Sequence, residues 1–252
     1  MVALSELIAY TDALLDSGAC SDYCPNGLQV EGRAEIRRLV SGVTASRALV
    51  EAGIAAGADA LLVHHGWFWR GEDARVTGMR RGRLAALLGA DMSLIAYHLP
   101  LDAHGELGNN VQLARRLGLR VGGRFARAGG VEIGLHGNLE PPLSPEAFAR
   151  RIGAALGRAP LHVPGRADPI RTLAWCTGAA QNYIEAAAAL GVDAYLTGEV
   201  SEPTVHAARE TGLHFFAAGH HATERYGVQA LGAHLARRFD LEHEFIDIDN
   251  PA

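Results

Sequence analysis

The sequence predicts an α/β protein built from two related halves, and three observations predict it. Short apolar strands alternate with amphipathic helical stretches, the pattern of strand-helix-strand units. The chain also repeats itself: Ile170-Arg171-x-Leu173 matches Ile36-Arg37-x-Leu39. Without a gap, Glu185-Ala186 then falls on Glu51-Ala52, and Gly191-x-Asp193-Ala194 on Gly57-x-Asp59-Ala60. Finally, 252 residues at 48% hydrophobic and 20% charged can bury a sizeable core. The expected architecture is an internally duplicated pair of strand-helix-strand halves around mixed sheets, related by a pseudo-two-fold axis. Residues 1–121 are the first half with its N-terminal helix, 122–168 a small connecting subdomain and 169–252 the second half. All three belong to one intertwined domain.

Each element follows from local pattern. Leu4, Leu7, Ile8, Leu14 and Leu15 recur near a 3.6 period, so residues 4 to 17 read as a helix. Pro25 and Gly27 punctuate a loop in S-D-Y-C-P-N-G. A strand over 36–43, a helix over 45–56 ended by Gly57 and a strand over 60–63 make one strand-helix-strand unit. His64 and His65 follow that strand, where open α/β sheets place their sites. Residues 70–82 read as a Gly- and Arg-rich loop, 83–88 as a short helix and 93–97 as a strand. Pro100 argues against a helix interior and puts His98 and Asp102 on a loop. Gly108-Asn109-Asn110 opens a helix to about Leu117. Within 122–168, a strand near 131–135 precedes a helix over 145–156, with Ser144 as its N-cap and Pro145 at its first position.

Composition excludes several functions. Net charge is −5 with scattered basic residues, so nucleic acid is not an expected partner. All 23 basic residues are arginine, which removes Schiff-base, pyridoxal-phosphate and Walker-lysine chemistry from this polypeptide. Cys20, Cys24 and Cys176 fit no disulfide framework. No apolar run approaches the ~20 residues of a membrane span, and the N-terminal stretch lacks a signal-peptide pattern. The cytoplasm is the expected location.

Two histidine pairs carry the chemistry. V-H-H-G-W-F-W holds His64 and His65, and G-H-H-A-T-E holds His220, His221 and Glu224. In the repeat, Gly198-Glu199 stands where His64-His65 stand, and with a shorter offset His220 and Glu224 fall on His98 and Asp102. The repeat therefore implies that two site loops converge. Imidazole grouped with carboxylate suits borderline transition metals, and five ligands exceed the need of one tetrahedral ion. Two metals bridged by a carboxylate would use His64, His65, Asp102, His220 and Glu224, with Glu224 long enough to bridge. Adjacent histidines on extended backbone point to opposite faces unless a turn redirects them, and Gly66 makes such a turn easy. His98, His104 and His221 are candidates for outer contacts or acid–base help, and His98 and His221 are the catalytic candidates. Trp67 and Trp69 suit either a stacking wall or the core. The isolated His136, His162, His206, His214, His234 and His243 read as structural.

These motifs, with C-P-N-G-L-Q-V-E-G, Y-H-L-P-L-D-A-H with G-N-N, L-T-G-E, G-H-H-A-T-E-R-Y-G and I-D-I-D-N-P, resemble the Nif-three-like dinuclear-metal hexameric proteins. These are also known as GTP cyclohydrolase I type 2 homologues, and the resemblance covers essentially the whole chain. It implies the same five metal ligands, two divalent ions per subunit (Zn, Fe, Mn, Ni or Co) and a toroidal homohexamer. It further implies a metal-dependent hydrolase opening the GTP imidazole ring by metal-bound hydroxide. The sequence itself contains no purine-reading motif and no P-loop, and Arg70, Arg81 and Arg225 are equal candidates for a phosphate. The competing readings are a phosphoesterase and a metal-binding regulatory or interaction protein without turnover.

Overall fold

In the computed structural model, which describes residues 1–252, the chain groups into two compact units. The first holds Met1–Gly108 and Gly227–Asp249, the second Asn109–Tyr226 and Asn250–Ala252.

The first unit is an α/β/α layer. β1 (Val2–Ala3) pairs with β3 (Glu35–Ile36) beside α1 (Leu4–Leu15), whose Leu4, Leu7 and Leu15 are buried as the 3.6 period requires. The central sheet contains β2 (Gly27–Val30), β4 (Arg38–Thr44), β5 (Ala60–His65), β6 (Ser93–Ala96) and β13 (Glu242–Phe245), ordered β13-β4-β5-β6-β2. β4, β5 and β6 are parallel, linked by α2 (Arg47–Ala55) and α3 (Gly78–Gly89). Alternation splits their side chains between two cores. Leu39, Leu62 and Ile95 pack with α1 and with Val228, Leu231 and Leu235 of α9 (His220–Phe239). Val40, Leu61, Val63 and Leu94 pack with Leu49 and Val50 of α2 and Leu87 of α3. Ser46 caps α2 by accepting from Leu49 N at 3.2 Å.

The second unit opens with α5 (Asn109–Leu117). Its sheet is ordered β7-β8-β10-β11-β12-β9, from β7 (Leu119–Ala128), β8 (Val131–Leu143), β9 (Leu161–Val163), β10 (Ile170–Trp175), β11 (Ala194–Thr197) and β12 (His214–Ala217). α6 (Pro145–Leu156) starts at Ser144, whose Oγ accepts from Ala147 N at 3.2 Å, as the sequence predicts. Phe148, Ile152 and Leu156 of α6 pack on Leu173, Trp175 and Phe216. α7 (Ile184–Ala189) and α8 (Glu202–Thr211) connect the parallel strands β10, β11 and β12.

The repeat is physical. Leu39 pairs with Ala60 in one sheet and Leu173 with Ala194 in the other. Asp59 accepts from the backbone N–H groups of Arg37 and Arg38 at 2.7 and 2.9 Å. Asp193 does the same for Arg171 and Thr172 at 2.8 and 2.9 Å.

Several expectations differ from the observed elements. The stretch 122–168 is not a separate subdomain, because β7 and β8 hydrogen-bond in series onto β10 and extend the second sheet. Asp102 lies on a short helix, α4 (Leu99–Ala103), with His98 at its N-cap and Pro100 within the first two positions, where proline's missing N–H removes no helical bond. α3 starts at Gly78, inside the stretch expected to be loop, and β2 forms by pairing with β6. His64 and His65 are the last residues of β5 rather than the first beyond it. No helix is long and apolar enough to cross a membrane.

Candidate metal-binding groups

In the first unit, β5 delivers His64 and His65, and the β6–α4 junction delivers His98 and Asp102. The His64 and His65 rings lie 4.6 Å apart at 42°, so the adjacent histidines converge although both belong to the strand. Gly66 is required here by close approach: a β-carbon would collide with the Gln29 side chain and Ala96. The uncommon backbone falls two residues later, on Phe68, with φ of 66°. His64 is fully buried, and its Nδ1 donates to the Tyr97 carbonyl at 2.9 Å, which leaves Nε2 as an acceptor. That Nε2 stands 3.6 Å from Asp102 Oδ1. His65 engages the Thr44 hydroxyl through Nδ1 at 3.2 Å. His98 Nδ1 meets Asp22 Oδ1 at 2.8 Å. One nitrogen from each of His64, His65 and His98 lies within 4.8 Å of the other two.

In the second unit, the first turn of α9 places His220 and Glu224 on one face, with Nε2 and Oε2 3.0 Å apart. His220 Nδ1 bonds Glu199 Oε1 at 2.7 Å. Burial alone would depress the His220 pKa, but the hydrogen bonds and charges of Glu224 and then Glu199 outweigh it and push it up to about 9. Glu224 is buried, and Gly178 and Gly198 leave room for this cluster: a β-carbon on Gly178 would meet Glu224 and His220, and one on Gly198 the His220 backbone.

The donor chemistry fits divalent metals. Imidazole nitrogens sit beside buried carboxylates, and a buried carboxylate demands a counter-charge, which a bound cation would supply. The candidates for outer roles separate. His221 is buried at the start of α9, its N–H directed at the Ala252 carbonyl at 3.3 Å. His104 accepts from Glu106 and Leu107 N–H groups through Nδ1 and shapes a turn. Trp67 is a core residue, its Nε1 donating to the Ala45 carbonyl at 2.8 Å. Trp69 instead meets His98 edge to face at 5.0 Å. Arg225 is engaged by the Leu156 carbonyl at 2.5 Å and Arg70 by the Asp22 carbonyl at 2.9 Å. The histidines read as structural are structural where their bonds show it: His234 to Tyr10, His243 to Ser41, and His162 to His214.

Sequence reasoning missed Asp22 and did not give Glu199 a role. Glu199 had a signal, since the repeat sets it on His65. Asp22 sits in a loop whose pattern marks only a turn.

Comparison with known proteins places this geometry in context. The family model Duf34/NIF3 (NGG1p interacting factor 3) matches residues 2–251. A Pseudomonas aeruginosa protein named GTP cyclohydrolase 1 type 2 homolog is 60% identical over 100% of this chain and 99% of its own. An Escherichia coli K12 protein of the same name is 51% identical over 98% and 99%. A solved structure described as protein ybgI, of unknown function, superposes with a TM-score of 0.96 at 50% identity, covering both chains completely. TTHA1606 from Thermus thermophilus gives 0.89 at 36% identity, again over both chains completely. The chain belongs to the Duf34/NIF3 family.

Proposed function

We propose that His64, His65, Asp102, His220 and Glu224 together hold two divalent metal ions, Zn, Fe, Mn, Ni or Co. On this reading the protein is a metal-dependent hydrolase acting on a nucleotide-like small molecule. The observation that carries it is a shared orientation. His64, His65 and His220 each engage a neighbour through Nδ1 — the Tyr97 carbonyl, the Thr44 hydroxyl and Glu199 — which directs Nε2 toward an ion. Ligand histidines are held this way in metal sites, where the outer bond sets tautomer and ring angle. The internal repeat, which sets His220 and Glu224 on His98 and Asp102, supports a common site.

Bound divalent ions would supply an activated water and Lewis-acid polarisation of the bond to be broken. Asp102 and Glu224 would neutralise their charge, and Glu224 is the ligand we assign to both. GTP imidazole-ring opening with release of formate is the specific form of the reaction, favoured by the name that the relatives carry. Assembly as a homohexamer belongs to the same reading and is checked by light scattering.

The test is formate release from GTP by protein supplied with Zn, Mn or Fe(II), beside His64→Ala and Glu224→Ala. Metal-dependent formate lost in both variants supports the reading. Cleavage of a phosphodiester without formate would make the protein a phosphoesterase. Bound metal with no turnover on either would replace the hydrolase by a metal-binding regulatory protein.

A further inference from the structure

We propose that His162 and His214 form an acid-sensitive latch that holds β9 and the turn after it on the edge of the second sheet. Every residue involved lies in the second unit. None is a proposed metal ligand, and the latch does not depend on the hydrolase reading.

Backbone groups fix the state of the pair. His214, on β12 and only 3% exposed, accepts at Nδ1 from the Gly165 N–H at 3.0 Å and meets the Ala167 carbonyl through Nε2 at 2.8 Å. A backbone N–H only donates and a carbonyl only accepts, so His214 is the neutral tautomer with its proton on Nε2. His162, on β9, reaches the same Nδ1 through its own Nε2 at 3.0 Å and is therefore the donor of that bond. Its ring lies flat on Phe216, 4.4 Å away at 4°. One buried ring thus ties down His162, Gly165 and Ala167 together, beside a strand pairing that spans only Leu161 to Val163.

A second proton on this pair is costly at either site. On His214 Nδ1 it would set an N–H against two donors and break the Gly165 and His162 bonds together. On His162 Nδ1 it would keep those bonds but charge a half-buried ring stacked on an apolar one. Burial, and then His214, hold the His162 pKa below its ordinary value against the opposing pull of Glu146. The neighbouring charges give little relief. Glu146 on α6 is exposed and lies in the field of Arg150 as well. In the turn after β9, Arg166 packs on Gly212 with its guanidinium toward the Glu210 carbonyl, and Asp168 is exposed. On α8, His206 pairs with Glu202 at 2.9 Å, and Arg209 and Glu210 are exposed. Asp193, just before β11, accepts the His214 backbone N–H on its carbonyl and spends its carboxylate on Arg171 and Thr172.

A histidine whose folded pKa lies below the unfolded value leaves the closed state at full stability above about pH 6.5. The latch weakens as pH falls below that, because the opened segment takes the proton that the closed one resists. Opening bares the edge of β12, whose chain runs through Ala218 and Gly219 into His220. Arg158, which precedes β9, packs against that same Gly219. Acid therefore loosens the approach to the first turn of α9.

The test is hydrogen-exchange mass spectrometry of the intact protein at about pH 7.5 and about pH 5.5, on either side of the ordinary histidine pKa. Protection, corrected for intrinsic exchange, should fall about tenfold over residues 161–167 relative to the central strands β10 and β11. That is the factor for one histidine that binds its proton only when open. The pH dependence should disappear in the double variant His162→Gln/His214→Asn, whose amides bond without titrating. The ratio between the two pH values is the readout, so a general loss of stability does not imitate the result. Equal wild-type protection at both pH values would overturn the latch, as would a double variant that keeps the wild-type ratio. Should that variant not fold, the ring-nitrogen NMR shifts of wild-type His214 at neutral pH decide. A neutral ring protonated at Nε2 is expected, and one protonated at Nδ1 would overturn the latch.

Discussion

Gly178 lies so close to Glu224 that a β-carbon at position 178 would collide with the carboxylate. Its φ of 71° also belongs to the left-handed region. Gly178→Ala should therefore destabilise the fold by about 1–2 kcal/mol, more than a strain-free Gly→Ala would change it. It should also weaken metal binding about tenfold or more, since Glu224 must turn away. Urea denaturation and metal titration of the variant check both effects. A variant binding metal like the wild type would show that Glu224 is no ligand.

Asp22 supplies a pH signature. Burial raises its pKa, but the hydrogen bond and charge of His98, with the Asn26 and Leu99 bonds, outweigh this and lower it to about 2. A folded pKa below the unfolded value gives stability that is full above about pH 4 and fades as pH falls toward about 2. The contribution is on the order of 2 kcal/mol. Urea denaturation of wild type and Asp22→Asn between pH 2 and 6 should show a gap that closes at the acid end. A gap independent of pH would contradict the assignment.

The repeated aspartates predict matched losses. Asp59 and Asp193 each accept from two consecutive backbone N–H groups at the start of a strand. Asp59→Ala and Asp193→Ala should each cost about 1–3 kcal/mol, the scale of losing hydrogen bonds to a charged group. Asp59 also pairs with Arg33 at 2.7 Å, and the backbone bonds of Arg38 and Arg37 with that pair hold its pKa below the ordinary value despite burial. Equilibrium unfolding of the two variants measures both losses.

The two tryptophans of W-F-W should behave oppositely. Trp67 is buried in the core and hydrogen-bonded, so Trp67→Ala should cost about 3–5 kcal/mol. Trp69→Leu should change stability by less than about 1 kcal/mol, because Trp69 is only half-buried beside His98. Chemical denaturation separates them. Comparable losses would mean that both residues serve the core.

Much of this was legible in the chain. The repeat set Leu173 on Leu39 and Ala194 on Ala60, and the structure pairs Leu39 with Ala60 and Leu173 with Ala194 across parallel strands, because equivalent backbone positions carry equivalent apolar and aspartate residues. Ser144 and Pro145 announced α6 because capping is a local interaction. The position of β7 and β8 was not legible: their place depends on edge pairing with β10, which no local spacing encodes. Pro100 misled because its effect depends on where in a helix it falls, and α4 holds it in the first turn. The contact of Asp22 with His98 spans 76 residues and has no periodic signature. The partners of His64 and His65 were hidden for a related reason, since a backbone carbonyl and a threonine hydroxyl carry no distinguishing sequence.

The most direct test is metal content per chain, by elemental analysis of protein purified without a histidine tag, beside a His64→Ala/His220→Ala double variant. The proposed centre requires close to two ions per wild-type chain and almost none in the variant. Wild-type protein that stayed metal-free after incubation with Zn, Mn and Fe(II) would contradict it.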